Sequence, residues 1–417
     1  MKIRPLTTSL RRLAQTLSIA CVGVVLGCAD APGAVSIDWS VEPLSSGIAP
    51  GSQTPFLSSA GDGAVLSWWA TEGTETVLRF AKVDGESVTG VKDIVRGSDF
   101  FVNWADFPSI TELPSGRLVA HWLQRGDAGG YDYGVRVSTS VDGGDSWDAP
   151  WTPHEDGTQT EHGFVSILPE GEDGFSAFWL DGRQFAAAGH DATNEMTLRT
   201  RSSDGGMAMG PDGLVDDLTC DCCQTDAVWA SQGPILVYRN RTREEIRDIY
   251  YTQRRGGEWT EARAIHEDNW EIAACPVNGP AVAASGDYVV VTWFTAAEER
   301  PMVQAKVSTD GGLTFGPALR IDHGEPSGRV DVVTLGDGRA MISWLERVGS
   351  GGGEVRLQEL VGTEMASDWT TLAGSSASRA SGFPRMVALD ANRIVAAWTD
   401  VGGDDSQLKL ALVTRDR

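Results

Sequence analysis

Seven times along the 417 residues a short apolar run closes on an aromatic residue, and no other feature narrows the fold as much. The runs are AVLSWW ending at Trp69, RLVAHW at Trp122, GFSAFW at Trp179, PILVY at Tyr238, YVVVTW at Trp293, RAMISW at Trp344 and RIVAAW at Trp398. Successive aromatics stand 53, 57, 59, 55, 51 and 54 residues apart. About ten residues before each lies a second strand-like run, such as Phe107-Pro-Ser-Ile, Phe164-Val-Ser-Ile or Val330-Asp-Val-Val. After each comes a turn and an alternating strand, such as GVRVSTS, MTLRTRS or VQAKVST, and usually a fourth. Four antiparallel strands in a unit of this length make a propeller blade, and the aromatic is expected to fill the space between neighbouring blades.

The predicted fold is therefore all-β, a single β-propeller of four-stranded blades. The repeat gives seven blades, with six as the alternative count if one unit is distorted. The seventh unit ends after its third strand, while Val35–Leu44 precedes the first unit as a strand without a partner. Pairing the two would close the ring and remove both open edges. Abundant glycine (49) and tryptophan (15), with no long helical periodicity, fit many short strands joined by tight turns.

The chain opens with Lys2, Arg4, Arg11 and Arg12 ahead of an apolar stretch from Leu13 to Leu26, the pattern of an export signal and too short for a permanent span. Val25-Leu26-Gly27-Cys28 resembles the bacterial lipobox, which implies acylation of Cys28 and anchoring through its lipid chains; a plain signal peptide is the alternative. Three segments follow: a lipoprotein signal peptide over 1–27, a short anchor linker over 28–34 and the propeller over 35–417. Ala29 and Asp30 after the cysteine favour the outer membrane of a bacterial envelope. Removing 1–27 leaves 30 Lys and Arg against 58 Asp and Glu, a net charge of −28, which excludes nucleic acid as a partner.

Two segments, Ser140-Val-Asp142-Gly143-Gly144-Asp-Ser146-Trp147 and Ser308-Thr-Asp310-Gly311-Gly312-Leu-Thr314-Phe315, match the Asp-box pattern S-x-D-x-G-x-[ST]-[WF]. Ser202-Ser-Asp204-Gly205-Gly206 keeps its first half. In such a hairpin the Asp accepts turn N–H groups and the glycines take positive φ, so Asp142 and Asp310 are read as structural. With these boxes at blade spacing, the chain resembles the sialidase (neuraminidase, BNR-repeat) superfamily over nearly its whole mature length. That resemblance implies a propeller with a glycoside-hydrolase or related site. It also implies three arginines that clamp a carboxylate, a Tyr–Glu nucleophile pair and an Asp acid/base. The chain departs from the pattern: where the first arginine belongs it reads Trp104-Ala105-Asp106-Phe107-Pro108-Ser109-Ile110, and its last tyrosine is Tyr288. Both departures argue against orthodox exo-sialidase chemistry.

The unusual polar residues fall in turns that a propeller gathers on the face opposite the Asp boxes, where a ring of convergent side chains is an expected ligand site. Asn103, Glu161, Asn278 and His162 are among them. Asp106, Asp181, Asp226 and Asp331 are the candidate catalytic carboxylates, able to act as acid and base if suitably spaced. Arg183, Arg239, Arg241, Arg329 and Arg385 are candidates for forked hydrogen bonds to an anionic glycan or small acidic ligand. Past Cys28, the cysteines are Cys220, Cys222, Cys223 and Cys275, all on this face. An even number in an exported chain predicts disulfides, of unassigned connectivity, with copper or zinc at the cluster as the alternative and no other cofactor expected. The leading functional expectation is a lipid-anchored propeller that binds, and in one form hydrolyses, an anionic glycan. The rivals are a scaffold presented to an envelope protein partner and a copper- or zinc-binding periplasmic protein.

Overall fold

The computed structural model describes residues 38–61, 63–185, 195–204, 209–366, 368–376, 378, 380–401 and 406–416. The segments read as a signal peptide and an anchor linker, with Cys28, and Gly205 and Gly206 of the half-box lie outside the described residues.

Seven antiparallel sheets form the blades of a propeller. Their inner strands are Gln53–Ala60, Ser109–Glu112, His162–Glu170, Asp226–Ala230, Ala281–Ser285, Pro326–Gly336 and Arg385–Asp390. In the second blade an isolated bridge, Val137 to Trp151, stands in place of a regular fourth strand. Trp39–Pro43 supplies the outer strand of the last blade, pairing with Gln407–Arg415 from Trp39 opposite Arg415 to Pro43 opposite Ala411. The ring is thus closed by the N-terminal strand, with seven units and none distorted enough to drop out. A 3₁₀ turn, Ala297–Glu299, follows the second strand of the fifth blade.

The core is a ring of seven apolar layers, one between each pair of successive blades. The second strand of each blade is covered on both faces, which is why it reads as an unbroken apolar run in the sequence. The seven repeat aromatics all sit on these strands and are buried, Trp179, Tyr238, Trp293 and Trp344 completely. A buried indole N–H needs an acceptor. Trp179 donates to Asp181 at 2.7 Å and Trp344 to Glu346 at 2.7 Å, both two residues along the same strand.

The two complete S-x-D-x-G turns have the predicted internal bonds. Asp142 accepts Ser146 N–H (3.0 Å) and Ser146 Oγ (2.6 Å), and Gly144 N–H donates to Ser140 Oγ (2.9 Å). Asp310, Thr314, Gly312 and Ser308 repeat the pattern. Each hairpin leans on the preceding blade: Trp147 meets Phe80 edge-on and Phe315 meets Tyr251.

Candidate functional site

On the opposite face an eighth apolar cluster, Ala105, Phe107, Val277 and Phe383, covers the channel mouth. Beside it opens a cavity of about 500 Å³ lined by Asn103, Trp104, Tyr131, Tyr133, Glu161, Phe164, Asp221, Cys222, Cys275 and Val277, among others. Six chain segments contribute to it: the loops leading into the second, third, fourth, fifth and seventh blades and the 131–133 turn within the second. Two lining residues, Phe164 (φ 53°) and Val277 (φ 51°), hold left-handed backbone conformations that a bulky or β-branched side chain adopts only when its surroundings enforce it. At Phe164 the enforcer is Asp106, whose two carboxylate oxygens both accept the Phe164 N–H at 2.9 Å. At Val277 it is a knot of side chains around the Cys275 loop. Arg239 donates to Asn278 O (2.8 and 3.0 Å), Arg329 donates to Val277 O (2.7 Å), and Asn278 Oδ1 accepts Arg329 N–H (2.9 Å).

Glu161 is the group in the cavity best suited to proton transfer. Burial, and then the nearby Asp221 carboxylate, push its pKa up to about 8, so it carries its proton at neutral pH. Tyr133 beneath it is buried and stacks on Phe101 with ring centroids 3.9 Å apart. Tyr131 stands exposed at the rim, 59 % accessible.

The cysteine loop forms the far wall. All four cysteines are free in the structure: Cys220 Sγ lies 3.2 Å from Cys223 Sγ and 3.8 Å from Cys222 Sγ, beyond the bonded distance of about 2.05 Å. Hydrogen bonds brace the loop. Gln224 accepts Gly279 N–H (3.1 Å) and donates to Ala105 O, tying the two cysteine loops to the second blade. Gly279 is required there, because a Cβ would fall 2.1 Å from the Gln224 carbonyl oxygen. Burial alone would raise the Cys220 thiol, but hydrogen bonds from Cys222 and Cys223 and the charges of Arg247 and Arg239 outweigh it and hold Cys220 well below the usual thiol range. Arg247 Nη1 lies 3.4 Å from Cys220 Sγ and 3.1 Å from Asp221 Oδ1.

Asp226 accepts Val282 N–H (2.8 Å) and Asp331 accepts Met386 N–H (2.7 Å), repeating the bond of Asp106 to Phe164. These three carboxylates latch one inner strand to the next. Burial pushes their pKa values up, to about 7 for Asp106, about 6 for Asp226 and about 7 for Asp331. Asp181 is paired with Arg183 (2.7 Å) under Trp179, away from the cavity. His162, 1 % exposed, faces Thr160 O through Nδ1 (3.1 Å) and Asp156 through Nε2 (2.8 Å), and stacks on His154. The arginines are engaged with protein groups. Arg239 holds backbone carbonyls and Arg241 pairs with Glu245. Arg329 stacks on Phe383 and Trp104, while Arg385 lies between Phe56 and Phe107, 3.6 Å from Asp331. No ring of arginines converges on a ligand position among the described residues. Of the predicted set, the structure brings Cys222 and Cys275 into the cavity with Glu161 and Asn103. Tyr131, Tyr133 and Arg247 were missed, although the turn Asp127-Ala-Gly-Gly-Tyr131-Asp-Tyr133 has the composition of a ligand loop.

No protein-family model matches the chain, and no curated protein does. Solved structures do. A protein of unknown function from Dyadobacter fermentans is 15 % identical, with 90 % of this chain and 98 % of that one covered and a TM-score of 0.52. The polysaccharide lyase Uly1 is 10 % identical over 89 % of this chain and 92 % of its own, also with a TM-score of 0.52. A K499G mutant of NanB sialidase from Streptococcus pneumoniae is 14 % identical over 87 % and 68 %, with a TM-score of 0.43. What the chain shares with the first two is the fold. At these identities the reaction does not transfer with it.

Proposed function

We propose that the protein is an envelope-anchored, glycan-binding propeller that takes a sugar unit into the loop-face cavity, with Glu161 as the proton donor to a glycosidic oxygen. One observation carries the reading: a single cavity of about 500 Å³ combines the aromatic side chains Trp104, Tyr131 and Tyr133 with a carboxyl group whose pKa is pushed up to about 8. The volume suits a small ligand or one or two sugar rings. Aromatic faces pack against the C–H faces of sugars, and Asn103 and Asp221 offer hydrogen-bond partners for hydroxyls. A protonated Glu161 beside the Asp221 carboxylate is an acid–base pair of the kind glycoside cleavage uses. The glycan needs no negative charge, because the arginines that suggested an anionic ligand are committed to protein partners.

The test uses the detergent-solubilised full chain on an array of polysaccharides. Trp104→Ala should abolish binding. Glu161→Gln should retain binding while slowing cleavage by the roughly 10²–10⁴-fold that a general acid contributes. Failure of the wild-type protein to bind any glycan, or wild-type cleavage by Glu161→Gln, would overturn the reading. The anchor is tested separately: Cys28→Ser should move the protein from the membrane fraction to the soluble one, and a variant that stays with the membrane removes the lipid-anchor proposal.

A further inference from the structure

We propose that Cys220, Cys222 and Cys223 form a binding site for a soft, thiophilic metal ion, Cu(I), entered from the loop-face cavity, with Cys275 as an accessory sulfur at its mouth. The proposal rests on sulfur geometry, so it stands or falls independently of the glycan reading.

The three Sγ atoms all lie within 4.8 Å of one another, with Cys220 at 3.2 Å from Cys223 and 3.8 Å from Cys222. A metal–sulfur bond of about 2.3 Å in a three-coordinate arrangement places its sulfurs about 4 Å apart. The closest pair therefore has to open by less than about 1 Å. Cys222 also belongs to a second group of potential ligand atoms, with Asp221 and Cys275, again within 4.8 Å of one another. Cys222, half-buried, is thus the sulfur that connects the buried Cys220 and Cys223 to the solvent-exposed Cys275. This arrangement provides a route by which an ion can pass from the cavity to the interior.

The donor set selects the ion. Three thiol sulfurs converge with no imidazole among them, which favours a soft ion over Mg²⁺, Ca²⁺ or Mn²⁺. Cys220 and Cys223 are 0 % and 1 % exposed, so the interior position is shielded from water, and only three sulfurs close on it. A structural Zn²⁺ site closes on four tetrahedral ligands, whereas Cu(I) is satisfied by fewer sulfurs. Arg247, with Nη1 3.4 Å from Cys220 Sγ, supplies a fixed cation beside an anionic metal–thiolate unit. That position is held by the Glu245 carboxylate at 2.8 Å and the Asp221 carboxylate at 3.1 Å. On loading, each sulfur donates a lone pair to the ion and any remaining thiol proton leaves to solvent, with no change in the oxidation state of copper or sulfur.

The group His154, Asp156 and His162 offers imidazole and carboxylate donors and no sulfur, so it does not select the same soft ion. His154 Nε2 accepts the Val135 N–H at 3.1 Å, and His162 has both ring nitrogens engaged.

The experiment is a competition on the reduced, detergent-solubilised full chain, with Cu(I) buffered by a chromophoric Cu(I) chelator and with Zn²⁺ titrated in parallel. The expected result is transfer of one Cu(I) per chain from the chelator, not reversed by excess Zn²⁺. Cys222→Ser and Cys223→Ser should each weaken binding by more than the roughly 10–100-fold typical of losing an outer partner, and Arg247→Gln should fall within that range. Cys275→Ser should keep the stoichiometry and slow the uptake of copper. The proposal is overturned if the chelator retains its copper, if Zn²⁺ displaces Cu(I), or if both Cys222→Ser and Cys223→Ser bind as the wild type does. Circular dichroism on each variant separates loss of the site from loss of the fold.

Discussion

A buried carboxylate can serve chemistry or hold backbone, and its partners decide which. Asp106, Asp226 and Asp331 each accept a main-chain N–H from the next blade, with no cation at hydrogen-bonding distance. Each is raised above its ordinary value of 3.8 by burial, so the neutral acid is the form the fold prefers. The linkage follows in sign. For a group whose folded pKa lies above its unfolded one, the stabilising contribution is fully present below about pH 4 and is lost as pH rises through about 6 to 7. Asp106→Asn keeps an acceptor for Phe164 N–H and cannot ionise. Urea unfolding at pH 5 and pH 8 should therefore show the wild type losing more stability than Asp106→Asn over that interval, by up to a few kcal/mol. Equal losses would mean that Asp106 does not titrate in this range. This is also the scale at which the sequence was least legible. Asp106, Asp226 and Asp331 looked like site residues because they share a face with Glu161. The sign of their structural use lay in spacing: 58, 56 and 55 residues separate each from its N–H donor, which is the blade repeat itself. The arginines misled for the same reason, since a guanidinium that holds carbonyl groups has the same composition as one that awaits a ligand.

At the scale of the element, the blade was almost wholly readable, because burial on both faces of the second strand forces an apolar run and the layer between blades forces an aromatic at its end. The two box hairpins were readable for a different reason: their hydrogen bonds are local, so the pattern contains both partners. What the pattern omits is the tertiary contact, and the two glycines of the first box differ on that point. A Cβ on Gly143 (φ 70°) meets nothing within 4 Å, whereas one on Gly144 (φ 83°) falls 2.3 Å from Phe80 Cζ of the preceding blade. Gly143→Ala should cost about 1–2 kcal/mol, the left-handed backbone penalty alone. Gly144→Ala adds overpacking of about 1–3 kcal/mol. Urea midpoints should rank wild type, Gly143→Ala, Gly144→Ala, and ligand binding on the opposite face should be unchanged in both. A reversed ranking would mean that the hairpin does not lean on the first blade as described.

At the scale of the whole molecule, the ring converts seven weakly independent blades into one cooperative unit, because every apolar layer belongs to two blades and the last belongs to the seventh and the first. Its closure depends on a pairing between the two ends of the chain, with Trp39 opposite Arg415, 376 residues on, at the start of the register and Val41 opposite Val413 in the middle. Without Trp39–Pro43 the last blade would present Gln407–Arg415 as an open edge, able to pair with a second molecule. The closing strand is also pinned sideways. Trp39 is 7 % exposed within the layer between the sixth and seventh blades, and its indole N–H donates to Glu359 Oε2 at 3.0 Å. Glu359 in turn receives Arg339 at 3.1 Å, so the strand, the sixth blade and the start of its second strand share one buried carboxylate. Trp39→Ala removes the ring contacts and one hydrogen bond while leaving the strand's backbone pairing intact, and should cost about 3–5 kcal/mol. Trp39→Phe retains most of the apolar contact and loses the bond to Glu359, which places its cost near that of one buried hydrogen bond to a charged group, about 1.5–3 kcal/mol. If closure governs the entire ring, unfolding of both variants should remain a single transition at a lower midpoint, whether followed by tryptophan fluorescence or by far-ultraviolet circular dichroism. A transition that splits in two, with the seventh blade melting ahead of the rest, would instead show that the blades keep their own stability and that the strand merely caps the last of them.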